Sequence, residues 1–374
     1  MAALEAFLGL MIVLVVLFEA FEALVLPRRV VRPFRLTRLY YRTLWPCWTS
    51  LAELAPRRTR PTLLSIFGPL SLLALFALWA AALISGFALI HDAFGLKHDG
   101  FLNALYFSGT TFTTLGYGDV TPATKSGRAL AVVEAATGFG FFAIVISYLP
   151  VLYQSFSRRE AFIALFDARA GSPPAAGRLL LRIPPGADGG VCLHAFLAEA
   201  ERWSAELLEA HLSFPILGYY RSQHDNQSWL ATLTCILDVS ALLLTIAESD
   251  ERTQARLTFA MARHTAVDLG LVVNQAPRKL LTERLPEARL DVLLSELKAA
   301  GMAIRSDGAS RGKLADLREL YEPFLGALAH YFHFSLPDVL PADDRPDNWQ
   351  TSAWARRAGP LASLGIDQKD EHFA

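Results

Sequence analysis

Thr113-Thr114-Leu115-Gly116-Tyr117-Gly118-Asp119 is the stretch on which the fold turns. Gly116 and Gly118 stand two apart, and glycine accepts positive φ without steric cost. A backbone that alternates between the two hands along such a stretch turns successive carbonyl oxygens toward one side. Carbonyls facing one axis can take the place of the water around a dehydrated cation. Thr114 would add its hydroxyl oxygen at the inner end of the row. Tyr117 would point away from the axis and brace the loop against surrounding aromatic side chains.

Working outward, the segment just before, Phe101 to Thr114, is apolar but too short to cross a bilayer, which takes about 20 helical residues. Apolar stretches long enough to cross lie at Leu63 to Ile90, at Ala129 to Tyr153, and near the start at Ala6 to Leu26, closed by Pro27. A short helix that enters the membrane and returns as extended chain fits this pattern. Such backbone survives at membrane depth only where protein or a water-filled cavity surrounds it. The chain is 53% hydrophobic over 374 residues, above the roughly 45–50% of soluble domains, in keeping with membrane segments.

Arg28, Arg29, Arg32, Arg35, Arg38, Arg42, Arg57, Arg58 and Arg60 stand between Pro27 and Pro61 against one acid, Glu53. The positive-inside rule makes this segment cytoplasmic. The N-terminus is then expected outside and the short re-entrant segment opens to the outside; Arg158 and Arg159 after the last stretch agree. No Lys or Arg precedes the first apolar core, so it reads as an uncleaved membrane helix, not a signal peptide. Arg29, Arg32, Arg35 and Arg38 recur every third residue, but Pro33 interrupts them and one span precedes them. They read as a basic segment near anionic lipid heads, not a voltage sensor. Tyr40, Tyr41, Trp45 and Trp48 suit an interfacial position. Glu19 and Glu22 share a helix face in the first stretch. They are either functional intramembrane acids or partners of the arginine segment, and the second reading is preferred.

These residues resemble the potassium-channel pore family. Its T-x-G-Y-G filter matches Thr114 to Gly118, with Leu115 where the usual residue is valine, a change between branched aliphatics whose side chain faces away from the ion. Asp119, the preceding run Ala104 to Thr114 and the following Val120-Thr-Pro122 also follow the family's pattern, and the resemblance spans roughly Leu63 to Arg159. It implies potassium held by Thr114, Leu115, Gly116, Tyr117 and Gly118, with Thr113, Asp119 and Glu134 as filter support. It also implies an inner helix lining the cavity with Phe139, Phe142 and Ile146, and with Gly138, Gly140 and Pro150 as hinge candidates. At Gly138, hinge and close packing are both open. Glu134 is open to three roles: accepting hydrogen bonds behind the filter, shaping the cavity field, or packing as a protonated residue. One filter segment per chain implies a cyclic homotetramer.

The expected fold class is therefore an all-α membrane protein. A two-helix pore domain spans 63–156, with outer helix 63–90, pore helix 101–113, filter 114–118 and inner helix 127–156. An extra membrane helix covers 1–26, a basic cytoplasmic linker 27–62, a helical cytoplasmic domain 157–337 and a flexible tail 338–374. Within the soluble part, helical periodicity marks Cys192 to Leu212, Trp229 to Ile246, Glu251 to Leu269, Leu290 to Ala300 and Leu314 to Phe332. Trp229 to Ala247 is apolar enough for a fourth span, but Asp238 at its centre favours a buried helix of a soluble bundle.

No G-x-G-x-x-G follows a strand, and no P-loop, nucleophile–base set or Cys/His metal spacing is present, so neither an enzyme nor a cofactor is expected. Cys47, Cys192 and Cys235 are widely spaced, and His330 and His333 have no acidic or cysteine partner nearby. His211, His224 and Asp225 read as surface chemistry. Nothing points to nucleic acid; lipid is the expected partner, in a cell membrane. The working hypothesis for the soluble part is that it moves the inner helices through Ser155–Arg159. A non-selective cation channel, or a membrane-anchored sensor with a non-conducting pore, are the competing readings.

Overall fold

The structure, a computed structural model, describes residues 2–26, 35–56, 58–94, 100–183, 187–223, 226–248, 250–342 and 347. Arg28, Arg29, Arg32, Pro33, Arg57, His224, Asp225 and residues 348–374 lie outside the described residues. The chain divides into two compact units, Met1–Gln154 and Ser155–Ala374. Among the described residues the secondary structure is helical, with one isolated bridge between Ala247 and Ile304. Among the described residues three helices are long and apolar enough to cross a membrane. The protein is an all-α membrane protein.

These helices are α1 (Ala2–Leu24) and α3 (Arg60–Ala93) of the first unit and α5 (Lys125–Ala170), which begins in the first unit and ends in the second, with α2 (Leu36–Leu54) and the short α4 (Phe101–Phe112) between them. Helix α1 lies against α3 where both carry glycine: a Cβ on Gly9 would sit 2.4 Å from the Gly86 carbonyl oxygen. Close backbone approach through small residues is the usual means of helix association in lipid, where apolar burial gives little drive. The rest of α1 leaves Leu4, Phe7, Leu8 and Leu14 exposed, as a lipid-facing surface requires.

Helix α2 occupies most of the segment read as a linker. Its start is held by Glu19, whose Oε2 accepts from the Thr37 amide at 3.2 Å and the Thr37 hydroxyl at 3.1 Å. A carboxylate there meets an otherwise unpaired amide and the positive end of the helix dipole. Glu22 faces Arg35 at 3.9 Å, so both acids turn to the basic segment. Tyr41, Trp45 and Trp48 surround Phe67 of α3, with ring centroids 6.4, 4.7 and 5.9 Å away. The Tyr40 hydroxyl donates to Ser71 O and Trp48 Nε1 donates to Leu63 O, both at 2.9 Å. These aromatic residues, expected at an interface, make all five of these contacts with α3.

The inner helix, expected over 127–156, is α5 and runs to Ala170. Ser155–Arg159, expected to be a short connection, lies within that helix. Pro150 also sits inside it.

In the second unit, α8 (Trp229–Thr245) is the central element. It is 17 residues long and buried along its length, Asp238 included. Helices α6 (Ala176–Arg182), α7 (Ala187–Ser213), α9 (Arg252–Val272) and α10 (Glu287–Ala299) make up the rest of the bundle with the last two. The expected single helix from Leu314 to Phe332 is two, α11 (Gly308–Glu319) and α12 (Glu322–Phe332). Pro323 restarts the helix at its first turn, because it lacks the amide that continuation needs. The segment from 338, expected loose, is anchored in its described part. Val339 O accepts from Gly177 N at 2.8 Å, and buried Asp347 pairs with Arg182 at 2.6 Å.

Candidate functional site

Helix α4 is 12 residues long, about 18 Å at 1.5 Å per residue, short of the roughly 30 Å hydrocarbon core. Its end is turned back sharply. The amides of Leu115 and Gly116 both donate to Thr110 O, at 2.8 and 3.1 Å. The chain then alternates: Thr114, Gly116 and Gly118 have φ of 57°, 54° and 81°, and the residues between them do not share that hand. At Gly116 and Gly118 nothing would meet an added Cβ within 4 Å. Conformation alone therefore demands glycine there. Thr114 takes the same hand without that freedom, which for a β-branched residue is a true outlier. Positive φ at Thr114 was not foreseen, because threonine carries no local preference for it.

The side chains of the loop find little cover within the chain. Leu115 is 55% and Tyr117 67% exposed, so the bracing expected for Tyr117 is not supplied by the described residues. Asp119 accepts from the Tyr106 hydroxyl at 2.9 Å, and Thr113 Oγ1 donates back to Gly109 O at 2.7 Å.

Behind the loop, α4 and α5 meet at two successive points. At Gly138 an added Cβ would lie 1.9 Å from Phe112 O, so the helix backbone packs directly on the end of α4. One turn earlier, Glu134 is fully buried. Its Oε1 makes a short hydrogen bond with Ser108 Oγ, and its Oε2 lies 2.9 Å from His91 Nε2. Ser108 Oγ also donates to Ile84 O of α3 at 2.7 Å. His91 and Ser108 were missed in sequence. The available signal was an ionisable residue at the end of an apolar span.

Of the expected cavity residues, Phe139 and Ile146 are 71% and 69% exposed. Phe142 differs: its ring stands 5.9 Å from that of Phe112 and 5.8 Å from that of Phe141. An added Cβ at Gly140 would meet nothing within 4 Å. Among the described residues no cluster of three His, Cys, Asp or Glu is arranged to hold a metal.

Residues 74–154 match the family described as "Ion channel". The stretch holding α4, the loop and the first part of α5 is thus similar to an ion-channel family, with an N-terminal helix before it and a helical unit after it. A probable potassium channel protein of Methanocaldococcus jannaschii is 43% identical over 68 residues, 17% of this chain and 19% of that protein. Two-pore potassium channel 4 of Arabidopsis thaliana is 39% identical over 56 residues, 15% of this chain and 20% of that one. The match to each potassium channel therefore spans about a fifth of that channel's length. A longer likeness, 24% identical over 277 residues, is to the uncharacterized membrane protein YdjJ of Bacillus subtilis, covering 71% of this chain and 77% of that one. No solved structure matches the chain.

Proposed function

We propose, from the match of residues 74–154 to an ion-channel family, that the chain is one subunit of a potassium-selective channel in a cell membrane. Four identical copies surround the pore. Main-chain oxygens of Thr114, Leu115, Gly116 and Tyr117 stand in for the ion's water. The N-terminus lies outside and the helical C-terminal unit in the cytoplasm, as the arginine-rich segment directs.

The single observation that carries this reading is the alternation of hand at Thr114, Gly116 and Gly118, directly after a helix too short to cross the bilayer. The exposed Leu115 and Tyr117 support the assembly, since neighbouring copies would cover apolar side chains that the described residues leave open. Reconstitution in liposomes with a bi-ionic reversal-potential measurement tests it. A reversal potential displaced toward the potassium equilibrium is expected; equal permeability to sodium and potassium would exclude selectivity.

A further inference from the structure

We propose that Glu134 is an uncharged, proton-bearing carboxyl that ties three helices together as a directed hydrogen-bond chain, and so positions the loop after α4. This rests on the channel reading above.

The hydrogens available to these groups fix the direction of each bond. Ser108 Oγ touches two acceptor-type groups, Ile84 O at 2.7 Å and Glu134 Oε1. A serine hydroxyl has one hydrogen, and a backbone carbonyl can only accept. With that hydrogen on Ile84 O, the contact to Glu134 takes its hydrogen from the carboxyl. At the other oxygen, His91 Nε2 is 2.9 Å away. Nδ1 of the same ring is buried and has no hydrogen-bond partner among the described residues. An imidazolium carries hydrogen on both nitrogens and would leave one donor buried and unmet, which is costly. A neutral ring with its hydrogen on Nε2 leaves only a lone pair. A neutral ring beside a carboxylate would leave a bare charge buried among membrane helices.

One arrangement satisfies all of these contacts without net charge. His91 Nε2–H donates to Glu134 Oε2, Glu134 Oε1–H donates to Ser108 Oγ, and Ser108 O–H donates to Ile84 O. It joins α3 at His91 and Ile84, α4 at Ser108 and α5 at Glu134. Ser108 and Phe112 are four apart on α4, and so are Glu134 and Gly138 on α5. The hydrogen-bond tie and the backbone contact at Gly138 are thus consecutive turns of one packed seam, and the loop leaves α4 at its end.

The test uses the full chain in liposomes and three forms, wild type, Glu134→Gln and Glu134→Ala. Glutamine reproduces the neutral acid, with an amide hydrogen for Ser108 and a carbonyl for His91, and should keep the wild-type permeability ratio. Alanine should lower the potassium-to-sodium ratio by about tenfold, the scale of one lost buried hydrogen bond. Loss of selectivity in Glu134→Gln as well as in Glu134→Ala would show that a carboxylate is required and overturn the proposal. Retention in both would overturn the positioning role. Infrared difference spectra give a readout independent of conduction and of whether Glu134→Ala assembles. A protonated-carboxyl stretch present in wild type and absent in Glu134→Gln is expected, and its absence from wild type would overturn the proposal. A wild-type protein without selectivity would instead refute the channel reading and leave the infrared result to decide the proton.

Discussion

Thr114 holds φ at 57°, a conformation that costs a non-glycine residue about 1–3 kcal/mol and persists only where its surroundings impose it. Here the imposing contacts are the two amides bonded to Thr110 O. At Gly116 and Gly118 the same hand is free, and alanine at either position should cost about 1 kcal/mol or more and abolish selective flux in the liposome assay. Gly138 and Gly140 provide a contrast on α5. Gly138→Ala must displace the end of α4 and should destabilise the assembled protein by about 1–3 kcal/mol. Gly140→Ala meets open space and should be neutral or stabilising by up to about 1 kcal/mol. Thermal unfolding in detergent separates the two. In the C-terminal unit, His211 is buried, and Nδ1–H donates to Leu207 O at 2.7 Å. Burial and then the nearby Arg159 charge push its pKa from 6.5 down to about 3. The folded state therefore keeps the neutral ring and the unfolded state binds the proton first. This contribution to stability is whole above about pH 6.5 and falls by about 1.4 kcal/mol per pH unit on the way toward 3. Denaturant midpoints against pH should show that slope, and His211→Leu should flatten it.

At the scale of elements, α2 depends on a carboxylate from another helix. Glu19→Ala should cost about 1 kcal/mol as a lost N-terminal cap, seen as faster amide hydrogen exchange in the first turn of α2. Buried Asp238 of α8 accepts from the Tyr321 hydroxyl at 2.6 Å and pairs with buried Arg284. Burial works against the Arg284 charge, but Asp238 opposite it holds the guanidinium above its ordinary value. Asp238→Ala should destabilise the unit by about 3–5 kcal/mol, because it strands a buried cation, as measured by chemical denaturation. The membrane-crossing helices and the short α4 were legible in the sequence because length and apolarity alone define them. So was α8, once Asp238 was weighed against its apolar neighbours. Helix α2 was not, because the nine arginines in and around it drew the reading and Pro46 lies within it. The ties at Glu134 were illegible because His91 and Ser108 lie 43 and 26 residues away, and no local pattern announces a contact at that distance. The break between α11 and α12 carried a visible signal in Pro323 that periodicity overrode.

For the whole molecule, the natural cut between units falls after Gln154. A truncation at Glu160 would divide the second unit, since Arg159 donates to Leu217 O and Tyr220 O at 2.9 and 2.8 Å. If the C-terminal unit sets opening, a chain ending at Gln154 should still show potassium flux but with altered open probability in single-channel records. Unchanged assembly and open probability would refute that role. The first unit also limits where such a movement can begin. With the Phe112 carbonyl wedged where a side chain would stand at Gly138, that glycine behaves as a weld, and a swing of α5 pivoting there would drag the root of the loop after α4 along. Motion that spares the loop has to start further along the helix, beyond Phe141 and Phe142, whose rings still stand 6.0 and 5.9 Å from that of Phe112.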